Sequence, residues 1–307
     1  MPADRHPAPI LPPVLKSGDT IAVAAPASPF DRQRLEAGVS ILKSWGYRVL
    51  LPDTLFQRQG YLAGDDRLRA EQLNRLFGDP HVKAIICARG GYGSLRMLDL
   101  IDFDTVGSNP KRLVGFSDIT ALLAVLNSRC RLVTFHGPLA TTLADMDPLS
   151  QTALQRTLSA NGVEYITLQT PVVLAAGKAT GSLGGGNLTT LCHLTGTPFA
   201  PDFDGAVVFF EDRGEPPYRI DRMLTHMKLA GHFKNLAGIL LGDFDGCGSF
   251  KEICAIFKDT FRHMGIPILA GLPAGHGSRN LTLPIGLTVE MDTDAKRLSF
   301  APLDHAG

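Results

Sequence analysis

Apolar and polar residues alternate in two kinds of block along the first half of the chain. Short apolar runs with many β-branched residues, the pattern of buried strands, lie at residues 20–25, 47–51, 82–88, 112–116 and 131–134. Between these runs the apolar residues recur at near-helical spacing, the pattern of helices that pack one face on a core. Regular strand–helix alternation predicts a doubly wound parallel sheet, which binds ligands beyond the carboxyl ends of its strands.

The pattern changes near residue 150. Beyond it the apolar runs are shorter and separated by Gly and Pro, at residues 165–168, 172–176, 206–210, 238–242 and 287–291. Helices are predicted in that half near residues 188–194 and 220–230. We therefore predict two domains: an α/β domain over residues 1–165 and a smaller, β-rich α+β domain over residues 166–307.

The composition is that of an ordinary globular protein without a bulk charge. Among 307 residues, 30 Lys and Arg balance 30 Asp and Glu, so the net charge is zero. This argues against a protein held on nucleic acid or on an anionic membrane by charge, since such binding needs a basic excess. A hydrophobic fraction of 44% and a charged fraction of 20% rule out wholesale disorder.

The cysteines and the N-terminal segment predict a cytoplasmic protein. The number of cysteines is odd, no C-x-x-C occurs, and no cysteine–histidine group has the spacing of a zinc site. We expect reduced, buried thiols, which suit a cytosolic compartment. The proline-rich start lacks the apolar core of a signal peptide, and no apolar run is long enough to span a membrane.

The segment LVGFSDIT, residues 113–120, places a serine between a predicted strand and a predicted helix. A serine on such a sharp turn is exposed at the carboxyl edge of the sheet, and the backbone N–H after it points into the same space. Ser117 therefore suits an acyl-transfer nucleophile. The match to G-x-S-x-G is partial, because Ile119 replaces the second glycine, and capping of the next helix by Ser117 is the alternative.

The segment ARGGYGS, residues 88–94, joins another predicted strand to a helix. Successive glycines allow a nest of backbone N–H donors, which can bind a phosphate or supply an oxyanion donor. No Lys-Ser or Lys-Thr pair follows, as a Walker loop requires, and the G-x-G-x-x-G spacing is absent. A plain tight turn is the alternative for this segment.

A carboxylate ends the strongly apolar run VVFF of the second half. Glu211 directly follows that run, so we expect its carboxylate to be partly desolvated. A dense charged loop comes after it, and a solvated turn with local ion pairs is the alternative interpretation of that loop.

His276 lies between Gly275 and Gly277 in a predicted loop, where another backbone can come close. Of the nine histidines it is the best placed as a general base. His136, after the fifth predicted strand, is its rival and otherwise a supporting residue or a substrate contact. His193, in the apolar run LCHL, is predicted to be a core residue. No H-x-H, H-E-x-x-H or Asp-rich pair accompanies these histidines, so no metal site is predicted.

Together these segments supply Ser117, Glu211 and His276 in the chain order nucleophile, acid, base. A serine hydroxyl is a poor nucleophile at neutral pH and needs a base. Histidine supplies one near its own pKa, and a carboxylate fixes the imidazole tautomer and stabilises the imidazolium. The sequence thus predicts a serine hydrolase whose acid and base come from the second domain.

Six segments occur in one order across about residues 15–295: ARGGYGS, GFSDIT, HGP, GSLGGGNL, FFEDRGEPPYRIDRML and GHG…NLTLPIG. In this set the chain resembles the LD-carboxypeptidase family of serine peptidases, which also contains the microcin C immunity proteins. The resemblance implies a flavodoxin-like N-terminal domain, a smaller β-rich C-terminal domain and a site in the cleft between them. It also implies a cytoplasmic homodimer that needs no metal.

The resemblance further implies roles for individual residues. Ser117, Glu211 and His276 fall on the family's triad, and the backbone N–H groups of Gly91 and Asp118 fall on its oxyanion donors. The usual family reaction removes the terminal D-Ala of a murein tetrapeptide. It cuts between the L centre of meso-diaminopimelate and D-Ala, a step of cell-wall recycling.

A carboxypeptidase must also hold the free carboxylate of its substrate. Arg89 and Arg213 are candidates by position, since Arg suits bidentate carboxylate binding, with structural ion pairs as the alternative. Tyr92 and Asn187 are further candidates for substrate contact, although the loop of Asn187 could serve only to support the cleft.

Two other functions are compatible with the sequence. Immunity-type members keep the triad but cleave aminoacyl-nucleotide conjugates, and they need an aromatic group on which the base stacks. The single tryptophan, Trp45, lies in a predicted helix near the start, which favours a peptide substrate, although Phe or Tyr could stack. The third interpretation is a non-catalytic small-molecule binder on a periplasmic-binding-like fold. The presence of the Ser, Glu and His, and the missing signal peptide, argue against it.

Overall fold

The computed structural model describes residues 8–160 and 164–300. Five parallel strands form most of a first sheet: β1 (Thr20–Ala24), β2 (Arg48–Leu50), β3 (Val82–Cys87), β4 (Arg112–Gly115) and β5 (Thr134–His136). Their order across the sheet is β5-β4-β3-β1-β2. The five strands expected from the pattern are present, but the fifth begins at 134 rather than 131. Arg131 has a φ of 56° and ends the preceding helix, so it cannot start a strand.

Four helices connect these strands, and a fifth follows β5: α1 (Arg32–Ser44), α2 (Asp66–Gly78), α3 (Phe103–Ser108), α4 (Thr120–Cys130) and α5 (Pro148–Ser159). Four of them begin with an aspartate whose side chain accepts a backbone N–H of the first turn, namely Asp31, Asp65, Asp102 and Asp147. The exception is α4, which starts at the predicted nucleophile turn and is buried along most of its length.

Nine further strands follow: β6 (Tyr165–Thr167), β7 (Val172–Ala175), β8 (Lys178–Asn187), β9 (Val207–Arg213), β10 (Gly238–Asp245), β11 (Ile268–Ala270), β12 (Leu283–Ile285), β13 (Thr288–Asp292) and β14 (Arg297–Phe300). All but β12 form a second sheet in the order β6-β14-β13-β8-β9-β10-β11-β7. The strands β8 to β11 run parallel at its centre, and antiparallel pairs flank them. The predicted α/β fold with a β-rich second part is confirmed.

Three helices belong to this second part: α6 (Leu188–Leu194), α7 (Pro217–Leu229) and α8 (Phe250–Phe261). The sequence pattern did not predict α8, although Ser249 and Glu252 form a capping box at its start. None of the helices in residues 8–160 and 164–300 is long and apolar enough to cross a lipid bilayer.

The strand β12 leaves the second half of the chain and joins the first sheet. It pairs antiparallel with β5, and its first residue, Leu283, lies opposite His136, the last residue of β5. The segment before Leu283 therefore emerges at the carboxyl end of the first sheet. Because Gly115 at the end of β4 also pairs with His136, the loop of His276 is brought beside the turn of Ser117.

Candidate active site

Ser117 lies on a strained turn directly after β4. Its φ of 64° is in the left-handed region, which costs a non-glycine residue of order 1–3 kcal/mol and persists only where the surroundings enforce it. Gly115 and Gly90 make room for the turn, since a Cβ on either would approach side-chain atoms of Ile119 or Ser117 within 3.0 Å. In the described residues Ser117 caps no helix, because α4 begins at Thr120 without a side-chain cap.

His276 is held by a buried carboxylate. Its Nδ1 lies 2.7 Å from Oε2 of Glu211, a residue of β9 that is completely buried. Gly275 permits this approach, because it has a φ of 127° and a Cβ there would lie 2.9 Å from Glu211 Oε2. Glu211 is desolvated, as predicted, but the groups that approach the glycines beside His276 are the side chains of Glu211 and Asp243, whereas another backbone was expected there.

The imidazole and the serine face one cavity of about 630 Å³. With Nδ1 directed at Glu211, Nε2 is the nitrogen of His276 left for other partners. The ring of His276 packs on that of Phe116, the residue before Ser117, with 4.8 Å between centroids. Within the described residues no hydrogen bond joins Ser117 Oγ to the imidazole, and such catalytic contacts often tighten only when substrate binds.

The pKa values of the pair are shifted by burial and by the mutual contact. Burial raises the pKa of Glu211 above its ordinary value, and the hydrogen bond and charge of His276 only partly offset this. Burial lowers the pKa of His276, but the hydrogen bond and charge of Glu211 outweigh it, so the net shift is upward. Glu211 thus favours an imidazolium beside it, which is the species a general base becomes.

The two residues predicted to supply oxyanion donors line the same cavity. Gly91 and Asp118 both line it, and in the described part of the chain neither amide donates to a protein acceptor. Gly91 has a φ of 101°, and a Cβ there would lie 2.4 Å from the Oγ of Ser28, so glycine is required. The glycine-rich segment therefore forms a wall of the cavity, and the N–H of Gly91 has no acceptor in the described part of the chain.

Three arginines line the cavity, and two of them are engaged by carboxylates. Arg213 pairs with Asp245, and Arg34, which the sequence did not single out, pairs with Asp145. Arg89 donates from Nη1 to the carbonyl oxygen of Pro29 at 2.6 Å. It has no carboxylate partner among residues 8–160 and 164–300. Its remaining donors are therefore available to an anion.

Asn187 lines the cavity but uses its side chain within the protein. Its Oδ1 accepts the N–H of Thr190 at the start of α6, and its Nδ2 donates to Asp212 Oδ1 at 3.0 Å. Asp212, buried beside Glu211, also accepts the N–H and the hydroxyl of Thr189. The sequence did not single out Asp212 in this role, because nothing in its spacing distinguishes it from the rest of the charged loop.

The two other histidines take positions that the sequence did not separate. His193, predicted to be a core residue, is exposed and lines the cavity, so that prediction is wrong. On α6 the residues on either side of it are buried and it points away from them. His136 is fully buried between Phe116 and Phe209, and burial lowers its pKa to about 3. It therefore lies behind the site and cannot touch a substrate.

Of the two aromatic residues considered for ligand contact, Tyr92 lines the cavity and Trp45 does not. Tyr92 is 45% exposed and lines the cavity, and its ring packs on that of Tyr61 with 5.8 Å between centroids. Trp45 lies at the end of α1 against the core, outside the cavity lining. All five cysteines are buried and free, as expected.

The described residues contain no cluster of His, Cys, Asp or Glu that could hold a metal ion.

Comparison with known proteins shows the family of this chain. The family model described as LD-carboxypeptidase N-terminal domain matches residues 21–137, and that of the LD-carboxypeptidase C-terminal domain matches residues 180–291. A probable murein peptide carboxypeptidase of Bacillus subtilis is 39% identical over 294 residues, covering 93% of this chain and 92% of the relative.

Solved structures give the same result. The muramoyltetrapeptide carboxypeptidase from Oxalobacter formigenes superposes with a TM-score of 0.80 at 30% identity, covering 92% of this chain and 99% of the other. The structure of MccF in complex with glutamyl sulfamoyl guanosine has a TM-score of 0.88 at 26% identity, with 96% and 99% covered. With both halves matched in order and nearly the whole chain aligned, this protein belongs to the LD-carboxypeptidase family.

Proposed function

We propose that the protein is a serine LD-carboxypeptidase. It removes the terminal D-Ala of a murein tetrapeptide by hydrolysing the bond between the L centre of meso-diaminopimelate and D-Ala. The observation that carries the proposal is the buried Glu211–His276 pair, which faces the same cavity as the strained Ser117 and the two free N–H groups. Family membership supports the substrate class.

The chemistry follows from the arrangement of these groups. Ser117 Oγ attacks the scissile carbonyl carbon while Nε2 of His276 accepts the hydroxyl proton. Glu211 holds the Nδ1–H tautomer and stabilises the imidazolium that forms. His276 then gives its proton to the leaving nitrogen of D-Ala, and a water molecule hydrolyses the acyl-enzyme with His276 again as the base.

The N–H groups of Gly91 and Asp118 bind the oxyanion in this proposal. Each donor is worth roughly 3–4 kcal/mol of transition-state stabilisation where single donors have been removed from comparable sites. The left-handed φ of Ser117 exposes the amide after it, so that nucleophile and donor are presented by one turn.

Arg89 is the residue that best fits the terminal carboxylate of the substrate. Arg34 and Arg213 line the same cavity but are paired with acids, whereas Arg89 keeps donors free. A guanidinium binds a carboxylate with two parallel hydrogen bonds, which fixes the orientation of the terminal residue. Tyr92, which is exposed in the same cavity, completes the proposed substrate-binding set, whereas the side chain of Asn187 is engaged within the protein and supports the cleft.

A second candidate function is supported by one feature of the cavity. Tyr92, which lines the cavity and packs on exposed Tyr61, offers an aromatic surface on which a nucleobase could stack. The second candidate is therefore hydrolysis of an aminoacyl-nucleotide conjugate by the same triad. The structural similarity to MccF in complex with glutamyl sulfamoyl guanosine agrees with this alternative.

One assay decides between the two candidates. Purified protein is incubated with L-Ala-γ-D-Glu-meso-diaminopimelyl-D-Ala and, in parallel, with a panel of aminoacyl sulfamoyl nucleotides, and the products are quantified. We expect release of D-Ala, a loss of at least about 1,000-fold in Ser117→Ala, and no effect of EDTA. Cleavage of the nucleotides alone would support the second candidate, and activity abolished by EDTA would contradict the metal-free mechanism.

The assembly, domain boundary and location are also proposals. From family membership we infer a cytoplasmic homodimer whose chain divides near residue 165. Light scattering coupled to size-exclusion chromatography measures the mass directly, and a mass of one chain would contradict the dimer.

A further inference from the structure

A buried arginine that the proposed mechanism does not use lies behind the glycine-rich loop. Arg69, on α2, is 2% exposed. Its Nη1 donates to the carbonyl oxygen of Gly93 at 2.8 Å and to that of Pro26, and its Nε donates to that of Gly64 at 3.2 Å. Its Nη2 pairs with Asp66. Because the guanidinium is a rigid fork of donors, Arg69 fixes three loops relative to one another.

Ser94, the residue after Gly93, joins the glycine-rich loop to the turn of Ser117. The N–H of Ser94 donates to Asp118 Oδ2 at 2.8 Å, and its hydroxyl donates to the Asp118 carbonyl oxygen. Ser94 is completely buried and Asp118 is 8% exposed. Hydrogen bonds to a carboxylate in such a poorly hydrated place are stronger than those at the surface. The two segments that carry the proposed oxyanion donors are thus tied together at one point.

Ser28 holds the other end of the same loop. Its N–H donates to the carbonyl oxygen of Gly90 at 3.2 Å, and its Oγ accepts the N–H of Tyr92 at 3.1 Å. Both neighbours of Gly91 are therefore fixed, while the N–H of Gly91 itself is left free for a ligand. Hydrogen bonds on both sides of Gly91 restrict where its N–H can point, which a simple turn does not require.

We propose that Arg69, Ser94 and the Asp118 carboxylate form a clamp that sets the distance between the N–H groups of Gly91 and Asp118. They are positioning residues, which act through the two amides without touching the substrate. The inference rests on the proposed function in one respect, the oxyanion role of those amides. Donors fixed in advance stabilise a developing charge because no reorganisation is needed during the reaction.

Two substitutions test the clamp, each with a matched control. Ser94→Ala removes the hydroxyl contact but keeps the backbone contact, and Arg69→Gln removes the fork. Ser44→Ala removes a hydroxyl bond to a helix carbonyl on the exposed face of α1, and Arg75→Gln removes an exposed arginine of α2 itself. Thermal melting of all four variants shows which of them fold. If Arg69→Gln does not fold, Ser94→Ala, which is the milder change, decides the test.

The kinetic readout separates positioning from general destabilisation. We expect kcat to fall about tenfold in Ser94→Ala and about 100-fold in Arg69→Gln, with KM within about twofold of wild type, since misplacement acts on the transition state. Both controls should match wild type. A folded Ser94→Ala variant with unchanged kcat, or with its loss entirely in KM, would overturn the clamp.

A fluorophosphonate probe provides a readout that does not depend on the peptide. In that reaction the Oγ of Ser117 bonds to phosphorus, fluoride leaves, and His276 takes the hydroxyl proton, while the phosphoryl oxygen occupies the oxyanion site. The labelling rate should fall by the same factors as kcat. Wild type that labels but releases no D-Ala contradicts only the proposed substrate, with the clamp still judged by labelling. Equal labelling of wild type and clamp variants overturns the clamp.

Discussion

A buried carboxylate beside an imidazole decides the protonation of the site. Burial raises the pKa of Glu211, while its hydrogen bond and charge raise the pKa of His276 against the effect of burial on the imidazole. A raised His276 pKa means that the base is protonated, and inactive, up to a higher pH than an isolated imidazole would be. At the scale of single residues, the acidic limb of the pH–rate profile should therefore depend on the charge of Glu211.

Replacing Glu211 by Gln should change both the rate and the pH profile. The amide removes the charge that raises the pKa of His276, so the acidic limb of kcat/KM should move to lower pH. At neutral pH kcat should fall by about 10⁴, because the tautomer and the imidazolium lose their support. Rates of D-Ala release between about pH 5 and pH 9, a range that spans the ordinary pKa of a histidine, measure both effects.

Glu290→Gln is the control for this substitution, since Glu290 is an exposed residue of β13. It should leave the rate and the profile of the wild-type enzyme unchanged. An acidic limb that stays in place in Glu211→Gln would show that another group titrates.

At the scale of elements, β8 shows how a strand can form from a sequence that disfavours one. Its segment, KATGSLGGGN, pairs with β9 on one side and β13 on the other. Glycines weaken strands in general, yet here they allow close contact of backbones, and a Cβ on Gly185 would lie 2.0 Å from the Phe209 carbonyl oxygen. Asn187, at the end of β8, lies opposite Glu211, so this contact supports the triad.

Gly185→Ala should therefore destabilise the whole protein. The new methyl group meets backbone atoms that cannot move aside, and Gly185 has a φ of 114°. We expect a loss of more than about 3 kcal/mol in the free energy of unfolding, measured by urea denaturation. Gly205→Ala is the matched control, with a φ of 65° and open space around the site, and should cost only about 1 kcal/mol. Equal losses in the two variants would contradict the proposed steric cause.

At the scale of the whole molecule, His136 lies where the two sheets meet. It ends β5, pairs with Leu283 of β12, and packs its ring against Phe209 of β9 with 5.0 Å between centroids. Burial first, and the nearby His276 second, lower its pKa to about 3. The folded protein therefore keeps this imidazole neutral at a pH where the unfolded chain protonates it.

This neutral histidine predicts a loss of stability in acid. Below about pH 6.5 the unfolded state binds a proton that folded His136 does not, so the free energy of unfolding falls as the pH falls. One such proton contributes a slope of up to about 1.4 kcal/mol per pH unit. His136→Phe should remove that contribution. Urea denaturation of each at a series of pH values between neutral and mildly acidic measures the difference, and identical slopes would rule out a neutral, buried His136.

The sequence by itself determined the features that depend on local pattern. Apolar runs and helical spacing predicted the five parallel strands of the first sheet, and the strand-to-helix turn pointed to Ser117 as the candidate nucleophile. Glu211 at the end of an apolar run and His276 between glycines were identified for the same reason. Each of these signals lies within a few neighbouring residues, where the chemistry of the side chains and the freedom of the backbone already restrict the structure.

Only the tertiary structure decided which distant residues meet. The pairing of β12 with β5, the insertion of a glycine-rich strand and the burial of Arg69 depend on contacts between segments far apart in the chain. The same holds for Arg89, which has no carboxylate partner in the described part of the chain, whereas Arg34 and Arg213 do, and for His193, which is exposed. Pattern reports how each segment prefers to fold, whereas packing selects among partners that look alike in sequence, and that selection has no local signature.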